Sequence, residues 1–533
     1  MRSLLRVLTL LLPLAVSGGC TSVKEYIQNG FEVGPDYRRP TAATADDWID
    51  SKNPHIQVGA ADNRNWWTVF RDPALDYLVL TAYQQNLTLR EAGYRVAEAR
   101  ARRNVAAGNL FPQSQDVFGN YTRSQLSEQT ATFTQFPSSA FPAGIGRLTN
   151  YSNFQLGGSL AWEVDFWGRF RRSVEAADAR LDASVENYDD ALVLLIAEVA
   201  STYVEMRTAE QRLQVARSNA TLQEESARVA NARLNAQAID SEVDAPQANS
   251  NLARTRAAIE LFKIQRRQAQ NRLCVLMGMP PQDLLALLGE SAVIPQAPET
   301  VVVDLPASLL WRRPDVRRAE RLAAAESAEI GVAVSNLYPH ISVNGTMQLE
   351  AAQFGNLFNG NAFAGTIGPA FRWDVLNYGR LINNIDLEDA QFRAQATTFQ
   401  QTLLEANEEA ENAIVAIRFY HAQIDQLERS VSQAQEAVRV TQAKYAAGDI
   451  DFNRVFTVEQ LLTQQQDLLA TARGNLAQSS IDLYRAVGGG WEIRLDPEAK
   501  IPRAPGFVPP TLEEPTLDLP EQIPAPQDDQ EQP

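Results

Sequence analysis

The sequence predicts a mixed fold of long helices and amphipathic strands, with the whole unit written twice. Three observations predict it. The chain repeats a phrase: "WEVDFWGRFRR" at Trp162 and "WDVLNYGRLIN" at Trp373 set Gly168-Arg169 and Gly379-Arg380 apart by 211 residues, and "NLFPQ" at Asn109 and "NLYPH" at Asn336 form an earlier echo. Between each Pro and each Gly-Arg lie stretches that alternate apolar and polar. After each Gly-Arg the period changes to that of a helix, which in the first copy runs from Phe170 to Gln237 with neither proline nor glycine. Repeats of this size mark a duplicated structural unit.

The elements follow in chain order. The first twenty residues, "MRSLLRVLTLLLPLAVSGGC", have Arg2 and Arg6, then an apolar run from Leu8 to Val16, then Ser17-Gly18-Gly19 before Cys20. That is an export signal. A Cys after small residues resembles a lipobox, with Cys20 as the lipidated N-terminus, although Ser17 stands where a branched apolar residue is usual. Beyond it no run of 18 apolar residues appears, so no transmembrane helix is expected. A helical stretch, Leu75 to Ala107 in copy one and Val316 to Ser335 in copy two, ends near Pro112 and Pro339, which cannot continue a helix.

The strands come next. "HISVNGTMQLE" puts Ile341, Val343, Met347 and Leu349 on one face against His340, Ser342, Asn344, Thr346, Gln348 and Glu350. "FQLGGSLAWEVDF" and "FAGTIGPAFRWDV" alternate in the same way, and "QSQDVFGNYTR" does so more weakly. Strands are therefore expected at 113–123, 154–166, 340–350 and 363–375. Alternation alone also fits a soluble sheet packed on a core. Aromatic residues near the strand ends and the Cys-bearing leader favour a membrane barrel. Four strands cannot close one, since the smallest have about 8. Such a barrel is shared between chains; two copies supply eight strands and three supply twelve.

From Phe170 the first long helix spans roughly 100 Å at about 1.5 Å per residue. Its counterpart runs from Leu381 to Ala447, and return helices follow at Val243 to Met277 and Phe452 to Val487. Helices of this length lie side by side in a bundle or tube. The order of parts is a signal peptide (1–19), an N-terminal anchored segment (20–74), repeat 1 (75–278), a connector (279–315), repeat 2 (316–488) and a last stretch with a Pro-rich acidic tail (489–533). Pro497 to Pro533 carries ten prolines and eight acidic residues, too little apolar content to fold.

Composition excludes several function classes. A net charge of −17 leaves no basic surface for nucleic acid. His55, His340 and His421 are far apart in sequence and in expected position, so no histidine metal site is expected, and no phosphate loop or nucleophile elbow occurs. "DIDFNRVFTVEQ" at Asp449 starts like a calcium loop, but has Arg454 where Gly is needed and Gln460 where the bidentate Glu belongs. No cofactor, metal or enzymatic activity is expected. Cys274, within a helical pattern, is expected to be a buried thiol.

"VGPDYRRP" at Val33, "WRRPDVRRAE" at Trp311 and the duplicated strand–Gly-Arg–helix unit together resemble the outer-membrane efflux proteins of the TolC superfamily. The resemblance is closest to OprM-like, NodT-type lipoproteins of RND efflux systems and extends to about Gly490. It implies a homotrimer in the outer membrane: a twelve-stranded β-barrel continuous with a twelve-helix periplasmic α-barrel, and an equatorial α/β belt. It also implies a periplasmic adaptor, an inner-membrane RND-type pump and surrounding lipid as partners. Gly168-Arg169 and Gly379-Arg380 then mark strand-to-helix crossings, and Pro112 and Pro339 the opposite ones.

Family members close the tunnel at the hairpin turns with carboxylates, an Arg and a Tyr. The matching candidates are Asp240, Glu242 and Asp244 in copy one and Tyr445, Asp449, Asp451 and Arg454 in copy two. Related tips often carry Asp where Arg454 and Thr457 stand here. This makes Asp449 and Asp451 the ring candidates, with Arg454 a lock. The function implied is passive export of amphiphilic drugs or toxic compounds. An outlet for type I protein secretion or heavy-metal export would share the architecture; a coiled-coil adhesin would need a sustained heptad seam and no duplicated strands.

Overall fold

The computed structural model describes residues 23–59, 62–125, 127, 150–236, 241–289 and 293–495. Cys20, Asp240, the export signal and the acidic tail lie outside the described residues. The described residues form two compact units: those within 23–46, 92–190 and 306–408, and those within 47–91, 191–305 and 409–495. In chain order the helices are α1 (Val23–Gln28), α2 (Pro73–Gln85), α3 (Leu87–Gly108), α4 (Arg169–Asn235), α5 (Ser241–Leu276), α6 (Leu285–Leu288), α7 (Leu309–Arg312), α8 (Pro314–Ser335), α9 (Arg380–Ala447) and α10 (Phe452–Ala486). The strands are β1 (Ile56–Val58), β2 (Ser114–Gln125), β3 (Asn150–Val164), β4 (Val301–Val303), β5 (His340–Ala351) and β6 (Phe363–Arg372). A shift of 211 carries the first residue of α4 onto that of α9, and that of α5 onto that of α10.

In the first unit β2, β3, β5 and β6 form one antiparallel sheet in that order, so among the described residues β2 and β6 each have a partner on one side only. The register sorts the side chains. Leu156 faces Leu349, Trp162 faces Val343, and Ile341 faces Phe371 on one surface; Ser159 faces Thr346, and Thr346 faces Thr366, on the other. The polar surface is bonded across strands, with Thr346 Oγ1 and Thr366 Oγ1 2.8 Å apart and Asn153 Nδ2 donating to Glu350 at 2.7 Å. The apolar surface is bare: Val117 is 88% exposed, Ile367 80% and Phe371 75%. A soluble sheet buries that face, and this one does not. From Phe154 to Val164, ten steps of about 3.4 Å at a barrel tilt of about 40° rise roughly 26 Å, which matches the apolar band of a membrane barrel. Among the described residues no helix is long and apolar enough to cross a membrane.

In the second unit the hairpins α4–α5 and α9–α10 pack together, and the parallel pair β1–β4 joins the N-terminal stretch to the connector. Cys274 is fully buried on α5.

Three expectations need correction. The helical stretch from Leu75 to Ala107 is two helices, broken at Asn86, whose backbone is extended. Its side chain caps α3 by accepting from Leu89 N at 2.8 Å, and Nδ2 donates to Leu276 O at 2.9 Å. The last strand stops at Arg372 instead of continuing to Val375, because Val375 N turns back onto Trp373 O at 3.1 Å. His55 and His421, remote in sequence, are stacked with ring centres 4.0 Å apart. Burial first, and the His55 ring second, hold His421 below the usual imidazole pKa.

Candidate functional site

The first candidate region is where strands become helices, in the first unit. Gly168 and Gly379 both have left-handed backbones, φ +82° and +81°, which glycine adopts without strain. Arg169 reaches back to Glu163 at 2.8 Å and Arg380 to Asp374 at 3.7 Å, the two acids again 211 residues apart. The indole of Trp162 donates to Leu110 O at 3.3 Å, and that of Trp373 to Leu337 O at 2.9 Å. Each Trp thus ties the exit of its strand to the Asn-Leu-aromatic-Pro turn before Pro112 or Pro339. The two echoes recur together because they touch.

Copy one adds a strap. Asp165 accepts from Phe170 N and Arg171 N at 3.0 Å each, placing a negative charge on the N-terminus of α4. Arg171 holds Gly30 O and Phe31 O at 2.8 Å, Tyr26 OH donates to Phe166 O at 2.6 Å, and Val33 N donates to Trp167 O at 3.1 Å. The buried Arg172 gathers Glu32, Asp36 and Glu175 at 3.2, 2.8 and 2.7 Å. Burial pushes the Glu32 carboxyl up, and its two arginines oppose this. A Cβ on Gly34 would stand 2.5 Å from Gly331 Cα, so "VGPDY" crosses α8 with no room for a side chain. Tyr37 OH then donates to Glu320 at 2.8 Å. Although burial raises its pKa, the bonds from Tyr37 and Arg321 hold Glu320 below the usual carboxylate range. The other motif, "RRPDVRR", fixes α8 to α4: Arg317 meets Glu186 at 2.7 Å and Arg318 meets Asn187 at 2.6 Å.

The second region is the hairpin tips, in the second unit. Tyr445 is buried, and its hydroxyl donates to the buried Asp244 at 3.1 Å. Burial, then the Asp244 charge, pushes the phenol up to about 12. Arg233 NH1 donates to Tyr445 O at 3.0 Å and lies 4.7 Å from the ring centre. Gly448, φ +86°, ends α9, with Asp449 N donating to Lys444 O at 2.9 Å. Asp451 caps α10 by accepting from Arg454 N at 3.2 Å. Glu242, Asp449, Asp451 and Arg454 are exposed. The structure therefore brings Tyr445 and Asp244 together, and leaves the other described tip charges facing outward.

Sequence reasoning missed two features here. Arg233 is one; its signal was available, because a shift of 211 carries it onto the basic Lys444 beside Tyr445. The other is a buried knot around Glu459, which accepts from Ser226 at 2.5 Å, Gln442 at 3.0 Å and Asn251 at 3.3 Å. It joins α4, α9, α5 and α10. Burial raises the Glu459 pKa, and the three bonds lower it in part. No motif announces this knot, since its members come from four helices. Among the described residues no cluster of three or more His, Cys, Asp or Glu is arranged to hold a metal.

Residues 78–279 and 305–489 match the family model described as outer membrane efflux protein. The chain belongs to that family. This outer membrane efflux protein is 27% identical over 470 residues to nodulation protein T of Rhizobium leguminosarum bv. trifolii, covering 87% of this chain and 95% of the relative. It is 27% identical to the solvent efflux pump outer membrane protein SrpC of Pseudomonas putida, over 90% of this chain and 97% of that one. The solved outer-membrane channel OprN superposes with a TM-score of 0.78 at 28% identity, over 86% of this chain and 99% of that one. The chain is thus an outer-membrane efflux channel that extends into the periplasm.

Proposed function

We propose that this protein is the passive exit duct of a tripartite efflux pump, exporting amphiphilic drugs, solvents or other toxic compounds. Three copies close a twelve-stranded barrel over a twelve-helix tunnel, each chain carrying a duplicated strand–helix unit. Cys20 anchors it by lipid. A periplasmic adaptor docks at the hairpin tips, and an inner-membrane RND-type pump supplies energy and selection. The observation that carries this reading is the four-stranded sheet with both edges unpaired among the described residues and its apolar face bare, because lipid tolerates no open edge. The chain contributes a lined path and a gate. The Tyr445–Asp244 contact keeps the two hairpins of one chain together in the closed state, while Asp449, Asp451 and Arg454 are placed to meet neighbouring copies. Gly168-Arg169, Gly379-Arg380, Pro112 and Pro339 serve as the membrane-exit and membrane-entry turns.

The test is accumulation of a panel of dyes, solvents and antibiotics in cells with and without the gene, the pump left intact. Accumulation on deletion, reversed by complementation, is expected. Unchanged accumulation of every compound, with loss of a secreted protein or of metal tolerance, would move the assignment to another export system.

A further inference from the structure

The internal repetition specifies how one copy meets the next. We infer that β6 of one chain pairs antiparallel with β2 of a second copy in one register, with Phe371 opposite Gly119 and Ala370 opposite Asn120. An aromatic clasp, Tyr378 on Phe111, accompanies it. The inference rests on the proposed shared barrel and adds the contact that closes it.

The register follows from contacts within one chain. The 211-residue shift carries Leu160 of β3 onto Phe371 of β6. Leu160 pairs with Gln115 of β2, and Phe371 pairs with Ile341 of β5. Gln115 and Ile341 are therefore equivalent, and β2 maps onto β5 by a shift of 226. The chain already contains one joint between the two repeats, where β3 meets β5 with Leu160 opposite Gly345 and Ser159 opposite Thr346. Carrying both sides of that joint through their shifts places Phe371 opposite Gly119 and Ala370 opposite Asn120. The faces agree: Phe371 and Gly119 fall on the apolar surface, and Ala370 and Asn120 on the other. A one-residue slip would exchange the two surfaces.

The clasp follows in the same way. At the internal joint Trp167 stacks on Tyr338, ring centres 4.5 Å apart and planes 23° apart. The 211 shift carries Trp167 onto Tyr378. Tyr338 corresponds to Phe111, a shift of 227 because copy one has one more residue between this turn and its strand, and Trp373 and Trp162 bond the carbonyls of Leu337 and Leu110 just before them. In the single chain Tyr378 is 97% exposed, Phe111 is 69% exposed, and Tyr378 has a left-handed backbone with φ +52°. A bulky side chain in that conformation, almost wholly exposed in the single chain, is held for a partner.

Paired cysteines in the full-length protein, in native outer membranes and with Cys274→Ala, test the register. Ala370→Cys with Asn120→Cys, and Phe371→Cys with Gly119→Cys, sample the two alternating classes of antiparallel pair. At least one is expected to give oxidant-dependent, reductant-reversible oligomers, and to exceed Ala370→Cys combined with Phe118→Cys or Thr122→Cys. Stronger cross-linking in those shifted pairs overturns the register. No cross-link in any pair, from a protein that runs as an oligomer on native gels, overturns closure through these edges. A protein that runs as a monomer overturns the shared barrel itself. For the clasp, Tyr378→Ala is expected to abolish the detergent-resistant oligomer and Tyr378→Phe to restore it. Equal behaviour of the two variants overturns the clasp.

Discussion

Replacing each junction glycine by alanine separates backbone strain from crowding. Gly168 and Gly379 share a left-handed φ near +80°, so alanine costs about 1–2 kcal/mol at either position through strain alone. Their surroundings differ. A Cβ at Gly379 meets only Asn383 Nδ2 at 3.4 Å, an ordinary contact. A Cβ at Gly168 lies 2.7 Å from Glu32 Cγ and 2.9 Å from both its Cβ and its Cα. Relieving that overlap means moving the strap and the buried Arg172 with it, an overpacking cost of about 1–3 kcal/mol more. Gly379→Ala should therefore destabilise by about 1–2 kcal/mol and Gly168→Ala by about 2–5 kcal/mol. At about 2 °C per kcal/mol for a large chain, the melting temperatures fall by about 2–4 °C and 4–10 °C. Helical circular dichroism of the detergent-purified protein at one fixed concentration reads both. Adding Glu32→Ala should not rescue Gly168→Ala, because the Glu32 Cβ and Cα remain in the way. Equal shifts for the two glycines, or rescue by Glu32→Ala, would refute the reasoning.

Glu459→Gln tests the buried knot. Because burial raises the folded-state pKa of Glu459, its ionised form opposes folding once the pH exceeds the unfolded value of about 4.3. The glutamine variant should melt higher than wild type at pH 7 and converge with it near pH 4; a gap that widens toward acid would contradict this. Asn86→Ala strands Leu89 N and Leu276 O, both held at under 3 Å by that side chain, and should lower stability by about 1–3 kcal/mol in chemical denaturation. Arg169→Ala should cost more than Arg380→Ala, since the first pair is half-buried at 2.8 Å and the second exposed at 3.7 Å; a double-mutant cycle with each acid should give less than about 0.5 kcal/mol for the exposed pair. Tyr445→Phe leaves the buried Asp244 without its donor and should raise both single-channel conductance and cell sensitivity to large antibiotics. Unchanged conductance would remove that bond from the gate.

The sequence shows most clearly what repeats. The 211-residue period and strict alternation locate the long helices and the strands of copy two, because both are periodic signals. β2 reads weakly, since Phe118 lies on the polar face and only Val117 and Tyr121 mark the other. The helix break at Asn86 is a side-chain cap, visible as a single residue and easily passed over inside a helical pattern. At the tips, residue type pointed to Tyr445 and Asp244 but not to their being partners, and gave no warning that Asp449 and Arg454 face outward. Residues that act across elements, such as Glu459 with Ser226 and Asn251, leave no local pattern. Their placement follows from which helix faces meet, and that is a property of the packed hairpins.

The two junctions also differ in a way that repetition alone would not produce. At copy one Trp167 is covered by Tyr26 and Tyr338, and Arg171 and Arg172 are tied to the strap. At copy two Tyr378 stands open, and Arg380 reaches only a distant, exposed Asp374. The strand-to-helix junction of copy one meets the second repeat of its own chain, so that joint is filled within a single molecule. In the sheet, copy two ends at β6, a free edge, and the segments equivalent to those that cover the inner joint are β2 and the turn before it. A sheet whose inner joint is finished and whose outer joint is bare matches a repeating unit cut at one place. In the proposed shared barrel the first strand of another copy fills the second joint, and the same physics that closes the internal joint, apolar against apolar and ring against ring, sets its register.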